Sequence, residues 1–186
     1  MTLSSVQILF VLGGARSGKS RYAQARAEAI SERRIYIATA QAFDAEMEER
    51  IAMHQADRGE GWETVEAPFD LPDAIVAHAA PDRVVLVDCL TLWASNLLLA
   101  DQDAEAETER LIKALGRAMG QVILVANEVG LGIVPDNALA RRFRDIAGRI
   151  NQATASAANE CVVLFAGLPM VLKGGEQHGD PLQVPG

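Results

Sequence analysis

Cysteine is nearly absent from this 186-residue chain, which carries only Cys89 and Cys161. Both sit in apolar runs, so a disulfide framework is excluded and a reduced protein with packed thiols is expected. An excess of basic residues is also missing: 17 Lys and Arg stand against 25 Asp and Glu, for a net charge of −8. General nucleic-acid and membrane-surface binders need a net basic face, which sets those classes aside and leaves room only for a local basic pocket. No apolar run approaches the roughly 20 residues that cross a bilayer. The N-terminus lacks the basic stretch of a secretory signal, so a cytoplasmic location is expected. No internal repeat and no long linker divides the chain.

Hydrophobic residues make up 49% of the sequence, enough for one core, and the length fits one domain. That domain is expected over residues 1–173. Residues 174–186, rich in glycine and proline, read as a mobile tail. The apolar run 6–12, bounded by glycine, has the pattern of a strand buried on both faces. Further strands are expected over 34–39, 83–88, 121–126 and 161–166. Helices are expected over 19–30, 44–55, 71–80, 105–119 and 137–158. This alternation predicts an α/β fold of the P-loop NTPase-like (RecA-like) kind, a mostly parallel sheet with helices on both faces. Ligands of such sheets bind beyond the carboxyl ends of the strands.

One motif falls at such an end. Gly13-Gly14-Ala15-Arg16-Ser17-Gly18-Lys19-Ser20 matches G-x-x-x-x-G-K-[ST] in full, after a strand and before a helix. Glycines let the backbone curl so that several N–H groups converge on phosphate oxygens, and the helix N-terminus favours negative charge. Lys19 would meet the β and γ phosphates, and the Ser20 hydroxyl would ligate Mg2+. Val84-Val85-Leu86-Val87-Asp88 ends an apolar strand in an acid, the second place expected to hold the metal. As a bare Asp at a strand end, Asp88 also fits a helix cap.

His54 lies on a predicted helix face with Met47 and Ile51. It reads either as a packed, hydrogen-bonded histidine or as a nucleophile that attacks phosphorus to form a phosphoramidate. Arg58 or Arg50 would then stabilise the phosphorus oxyanion, although Arg50 has Glu46 as an i−4 partner. Trp62 and Trp93 read as packing residues, and His78 and His178 carry little signal.

These residues resemble the bifunctional adenosylcobinamide kinase / adenosylcobinamide-phosphate guanylyltransferases of cobalamin biosynthesis. The likeness runs from the phosphate loop through Tyr36 to Ala40, Asp44 to Ile51, Trp62 to Glu66 and Asp88 to Trp93. Its most specific pieces are Asn127 to Pro135 and Phe143 to Gln152, and it spans roughly residues 6–173. The resemblance implies phosphorylation of the aminopropanol hydroxyl of adenosylcobinamide by ATP or GTP. It also implies transfer of GMP from GTP to that phosphate, with His54 carrying GMP covalently. Nucleotide contacts are implied at Gly13 to Ser20, at Ala38, Thr39 and Ala40, at Gln55, Ala56, Asp57 and Arg58, and at Glu66 and Asp88. On spacing alone Glu66 would be an exposed strand-end acid, and Glu128 has no role. A homotrimer with sites near subunit boundaries is also implied. Two rivals remain at this stage: a simpler P-loop kinase with a structural His54, and a nucleotide-gated regulatory module without chemistry.

Overall fold

The computed structural model describes residues 7–41, 59 and 61–174. The helix expected over 44–55 and the tail from 175 lie outside them. All five expected strands are present: β1 (Gln7–Gly13), β2 (Arg34–Ala38), β4 (Val84–Asp88), β5 (Gln121–Asn127) and β6 (Glu160–Phe165). Two further strands are present: β3 (Trp62–Glu66), implied only by the strand-end reading of Glu66, and β7 (Leu168–Lys173), which was not expected. They form the two edges of a seven-stranded sheet of order β3-β2-β4-β5-β1-β6-β7. Every neighbouring pair is parallel except β6 and β7, which form an antiparallel hairpin.

Central strands β4 and β5 are apolar and buried almost throughout. The edges lack that signature. β3 reads Trp-Glu-Thr-Val-Glu with only partial burial, and β7 carries Pro169 and is exposed along nearly its whole length. Edge strands tolerate proline because one side of their hydrogen-bonding ladder faces away from the sheet.

Helix α1 (Lys19–Ile30) packs on one face of the sheet, where Tyr22, Ala23 and Ala27 meet Leu9, Val11, Leu86 and Ile123. Small alanines let this helix approach the strands closely. Helices α2 (Leu71–His78), α3 (Leu90–Leu99), α4 (Ala104–Arg117) and α5 (Ala138–Ala157) cover the opposite face. There Leu71, Ile75, Trp93, Leu97, Leu111 and Ile150 are fully or almost fully buried against Phe10, Val87 and Leu124. Helices therefore lie on both faces, as expected. α3 was not foreseen: Leu90–Leu99 is apolar almost all round, so it lacks the polar face that reveals a surface helix. Helix ends follow local chemistry. The Asp103 carboxylate accepts from the N–H groups of Glu105 and Ala106 at 3.0 and 3.1 Å, and Asn137 Oδ1 accepts from Ala140 N at 2.7 Å.

Trp93 is wholly buried, and its indole N–H donates to Phe69 O at 3.0 Å. Trp62 packs edge-on against Tyr36 and lies under the Arg34 guanidinium, so both tryptophans are packing residues. Both cysteines are free and buried. Among the described residues, no helix is long and apolar enough to cross a membrane.

A buried polar junction ties α3 to the carboxyl end of β2. Asn96 Nδ2 donates to Thr39 O at 2.8 Å and to Pro68 O at 2.9 Å. Asn96→Ala would strand both carbonyls, and an unsatisfied buried polar group costs about 1–3 kcal/mol. We expect Asn96→Ala to lose roughly 2–4 kcal/mol of stability, read as a lower urea midpoint with an unchanged slope.

Candidate nucleotide site

The phosphate loop joins the buried end of β1 to α1. Arg16 and Gly18 adopt left-handed conformations, with φ of 56° and 90°. Gly18 is the residue before the first turn of α1, and no side chain caps that turn. The first amides of α1 therefore have no side-chain competitor for an anion. Gly13 is buried, and a Cβ added there would stand 2.3 Å from Ser17 Oγ and 3.0 Å from Leu164 O. Only glycine fits. Gly14 by contrast faces open space.

Hydrogen bonds fix the curl. Ser17 N donates to Gly14 O at 3.3 Å, and Lys19 Nζ donates to Gly14 O at 3.1 Å. From outside, Gly167 N donates to Ser17 O at 2.9 Å, so the β6–β7 turn clasps the loop from behind. That turn uses two left-handed residues, Ala166 and Gly167. On the other side Glu128 N donates to Gly13 O at 3.1 Å. Ala15 and Arg16 are exposed at the tip, while Lys19 and Ser20 are half-buried at the start of α1.

The sheet register places the remaining candidates. Glu66 pairs with Ala38, Ala38 with Asp88, Asp88 with Val125, and Val125 with Val11. One row across the carboxyl end thus runs from Glu66 through Asp88 toward the phosphate loop, two residues beyond Val11. Side chains alternate along strands. Val84 and Leu86 face α1, so Asp88 does too, on the side where Lys19 and Ser20 emerge. Glu66 is exposed at the end of β3 and Asp88 is half-buried.

Thr39 is fully buried. Its hydroxyl donates to Cys89 O at 2.8 Å and accepts from Cys89 N at 2.9 Å, bracing β2 against the residue after Asp88. That side chain is committed to the fold, and sequence reading had placed it only among nucleotide contacts. His54, with Gln55, Ala56, Asp57 and Arg58, lies outside the described residues.

The donor set available to a metal is one hydroxyl and one carboxylate, Ser20 and Asp88. Among the described residues, no group of three His, Cys, Asp or Glu side chains could hold a metal ion alone. Mg2+ suits such a sparse set, because it keeps several waters and takes its other ligands from substrate phosphates. Burial, reinforced by the Asp88 charge, pushes the Cys89 thiol up to about 11.

Fold and loop together define a P-loop nucleotide-binding α/β protein. Solved structures agree at the level of fold: a type III secretion system ATPase aligns with a TM-score of 0.52 at 14% identity, covering 85% of this chain and 51% of that one. The chain thus spans about half the length of that ATPase. A Pyrococcus horikoshii protein aligns with a TM-score of 0.54 at 9% identity, covering 92% and 88% of the two chains. Sequence comparison is sharper. The family model described as "Cobinamide kinase / cobinamide phosphate guanyltransferase" matches residues 9–172. The bifunctional adenosylcobalamin biosynthesis protein CobP of Pseudomonas aeruginosa is 49% identical over 166 residues, covering 88% of this chain and 96% of that protein. CobU of Escherichia coli is 44% identical over 181 residues, covering 89% and 99%. The chain belongs to the cobinamide kinase / cobinamide phosphate guanyltransferase family, whose members are bifunctional enzymes of cobalamin biosynthesis.

Two predictions follow from this geometry. Gly13→Ala should fold the loop open and weaken nucleoside triphosphate binding by at least about tenfold, since a 2.3 Å contact must be relieved by movement; isothermal titration measures it. With its thiol near 11, Cys89 holds on the order of one thiolate in ten thousand at pH 7. Native protein should therefore resist iodoacetamide at Cys89 below pH 9 and react there once unfolded, as peptide mass mapping would report.

Proposed function

We propose that this chain phosphorylates adenosylcobinamide with ATP or GTP, then transfers GMP from GTP onto the resulting phosphate to give adenosylcobinamide-GDP. The observation that carries the reading is the complete phosphate loop, set at the carboxyl edge of the sheet in a chain with family-wide likeness over residues 9–172.

In the first reaction the aminopropanol oxygen attacks the γ phosphorus. An O–P bond forms, the bond to the β–γ bridging oxygen breaks, and the nucleoside diphosphate leaves as the alcohol proton is released. The loop amides and Lys19 hold the phosphates in line for attack and offset the charge that spreads over their oxygens. Ser20 and Asp88 are the residues to hold Mg2+, which when bound neutralises phosphate charge.

In the second reaction a neutral ring nitrogen of His54 attacks the α phosphorus of GTP. A P–N bond forms and pyrophosphate departs. A phosphate oxygen of the corrinoid then attacks the same phosphorus, the P–N bond breaks and His54 is regenerated. Splitting the transfer lets one histidine pass GMP between two acceptors. Arg58 is assigned to the phosphorus oxyanion. Ala38 to Ala40, Gln55 to Asp57 and Glu66 are assigned to the nucleotide, with Glu66 meeting the guanine edge or ribose hydroxyls. We assign the active form as a cytoplasmic homotrimer. Exposed apolar side chains at Leu131, Ile133 and Val134, in the loop after β5, support association of copies.

Incubation with α-labelled GTP tests the histidine. Wild-type protein should retain acid-labile, alkali-stable label, while His54→Ala retains none and still phosphorylates adenosylcobinamide. Equal labelling of both proteins would remove His54 from the mechanism. Loss of kinase activity along with the label would leave the two reactions inseparable.

A further inference from the structure

We propose that Arg144 of α5 binds the phosphate of the acceptor in the second reaction, the phosphomonoester that receives GMP. This rests on the guanylyl-transfer reading above and gives it an acceptor subsite.

Hydrogen bonds at two levels fix the course of α5. Just past its end, Asn159 N donates to Ile8 O at 2.9 Å and Asn159 Oδ1 accepts from Ile8 N at 2.7 Å, at the start of β1. Higher up, Asn151 Nδ2 donates to Asn127 O at 3.2 Å, and Asn127 pairs with Gly13 where the phosphate loop begins. α5 therefore runs against the direction of β1 and is level with the carboxyl edge at Asn151. Residues 138–150 continue past that edge, by up to about 20 Å at the rise of an α-helix. The same contact fixes which flank faces the site. Asn151 points at the tip of β5. Arg144, seven residues earlier, lies about 20° away around the helix, on the same flank and above the strand ends. Gly148 lies between them, and a Cβ added there meets open space, so there is room beside Arg144 on this flank.

The other arginines of α5 are engaged elsewhere. Arg141 Nη1 donates to Pro135 O at 2.9 Å and to Asp136 O at 2.8 Å, bracing the loop before the helix. Arg142 turns to Asp101 at 3.7 Å, and Arg149 lines a cavity against α4 with Glu105 and Thr108. Arg144 has only its neighbour in sequence. Its Nε and Nη2 both reach Asp145 Oδ1 at 3.2 Å, on a carboxylate that is 57% exposed. An exposed pair of this kind holds its partners weakly. Among the described residues no hydrogen bond occupies Nη1, so the end of the fork, Nη1 and Nη2, is left for an anion.

Guanylyl transfer needs such a group. Both reactants are negative, since a phosphate oxygen must approach a phosphorus whose own oxygens carry charge. As the new O–P bond forms, the P–N bond breaks and its electron pair returns to the imidazole, so the acceptor stays anionic throughout. The loop amides and Lys19 serve the phosphates of the nucleotide, and the acceptor requires a cation of its own. An arginine fork takes two oxygens of a phosphomonoester and leaves the third free to attack. The alcohol acceptor of the first reaction carries no phosphate and gains nothing from Arg144. Arg144 thereby separates the acceptor of the second reaction from that of the first.

Calorimetric titration of the nucleotide-free protein tests this, using adenosylcobinamide and adenosylcobinamide phosphate on wild-type, Arg144→Gln, Arg144→Lys and Lys19→Ala proteins. Wild type and Lys19→Ala should bind the phosphate form at least about tenfold more tightly than the alcohol, the worth of a charge-assisted pair. Arg144→Gln should bind the two forms alike, and Arg144→Lys should recover part of the preference. Thermal melting checks folding, and Arg144→Lys carries the comparison should the Gln variant melt early. In turnover, Arg144→Gln should raise KM for adenosylcobinamide phosphate by about tenfold. It should leave KM for adenosylcobinamide and labelling by α-labelled GTP unchanged. A wild-type protein without the preference overturns the assignment. So does a preference that survives in Arg144→Gln and is lost in Lys19→Ala, which gives the phosphate to the loop. Loss of kinase turnover in Arg144→Gln places the arginine on the triphosphate instead and also overturns it. A wild-type protein that takes no label from GTP removes the guanylyl-histidine reading, while the comparison of the two corrinoid forms still decides Arg144.

Discussion

The site depends on the absence of a side chain at Gly13. This residue is the last of β1, hydrogen-bonded within a parallel ladder on both sides, and it must also make room for Ser17 as the chain doubles back. A methyl group there would collide with the Ser17 hydroxyl. Once the turn is made, Gly18 enters the left-handed region and releases α1 toward the sheet, where Ala23 and Ala27 pack closely enough to hold it. The open amides at the start of that helix, the inward curl and the placement of Lys19 are all consequences of this one tight passage.

Around it the protein builds a rim from non-local contacts. Thr39 is locked to the peptide of Cys89 across fifty residues of sequence, Asn96 secures the end of β2, and Thr91 secures the end of β5. Each uses a buried polar side chain to bind main-chain groups at the carboxyl edge. Each therefore fixes where a strand ends, and with it where Asp88 and Asn127 project. α3, which supplies two of these three, is apolar apart from these two positions and Ser95, and reads in isolation as little more than core.

This explains what the sequence disclosed. The phosphate loop was legible because its meaning is local: eight consecutive residues, a strand before and a helix after. Asp88 stood out as an acid ending an apolar run, and the structure sets it in the row of strand ends that runs toward the loop. Asn127 entered only as the first residue of a family-specific segment. That β5 lies between β4 and β1 could not be read, because strand order leaves no trace in hydrophobic periodicity. β7 was missed, and β3 was glimpsed only at its last residue, for a related reason. At the edges of the sheet they are half-wet, so polar Glu63 and Glu66 in one and Pro169 in the other are tolerated. Thr39 was marked by a family motif as a nucleotide contact, and the structure adds a mechanical task for its hydroxyl, which the motif did not reveal.

The bond from Gly167 to the Ser17 carbonyl has a dynamic consequence. Through it the hairpin at one border of the sheet shares the fate of the phosphate loop, because neither can shift without breaking that link. Stiffening of the loop by an anion would pass outward, and amides of β6 and β7 would trade their protons with solvent more slowly, far from any atom of the ligand.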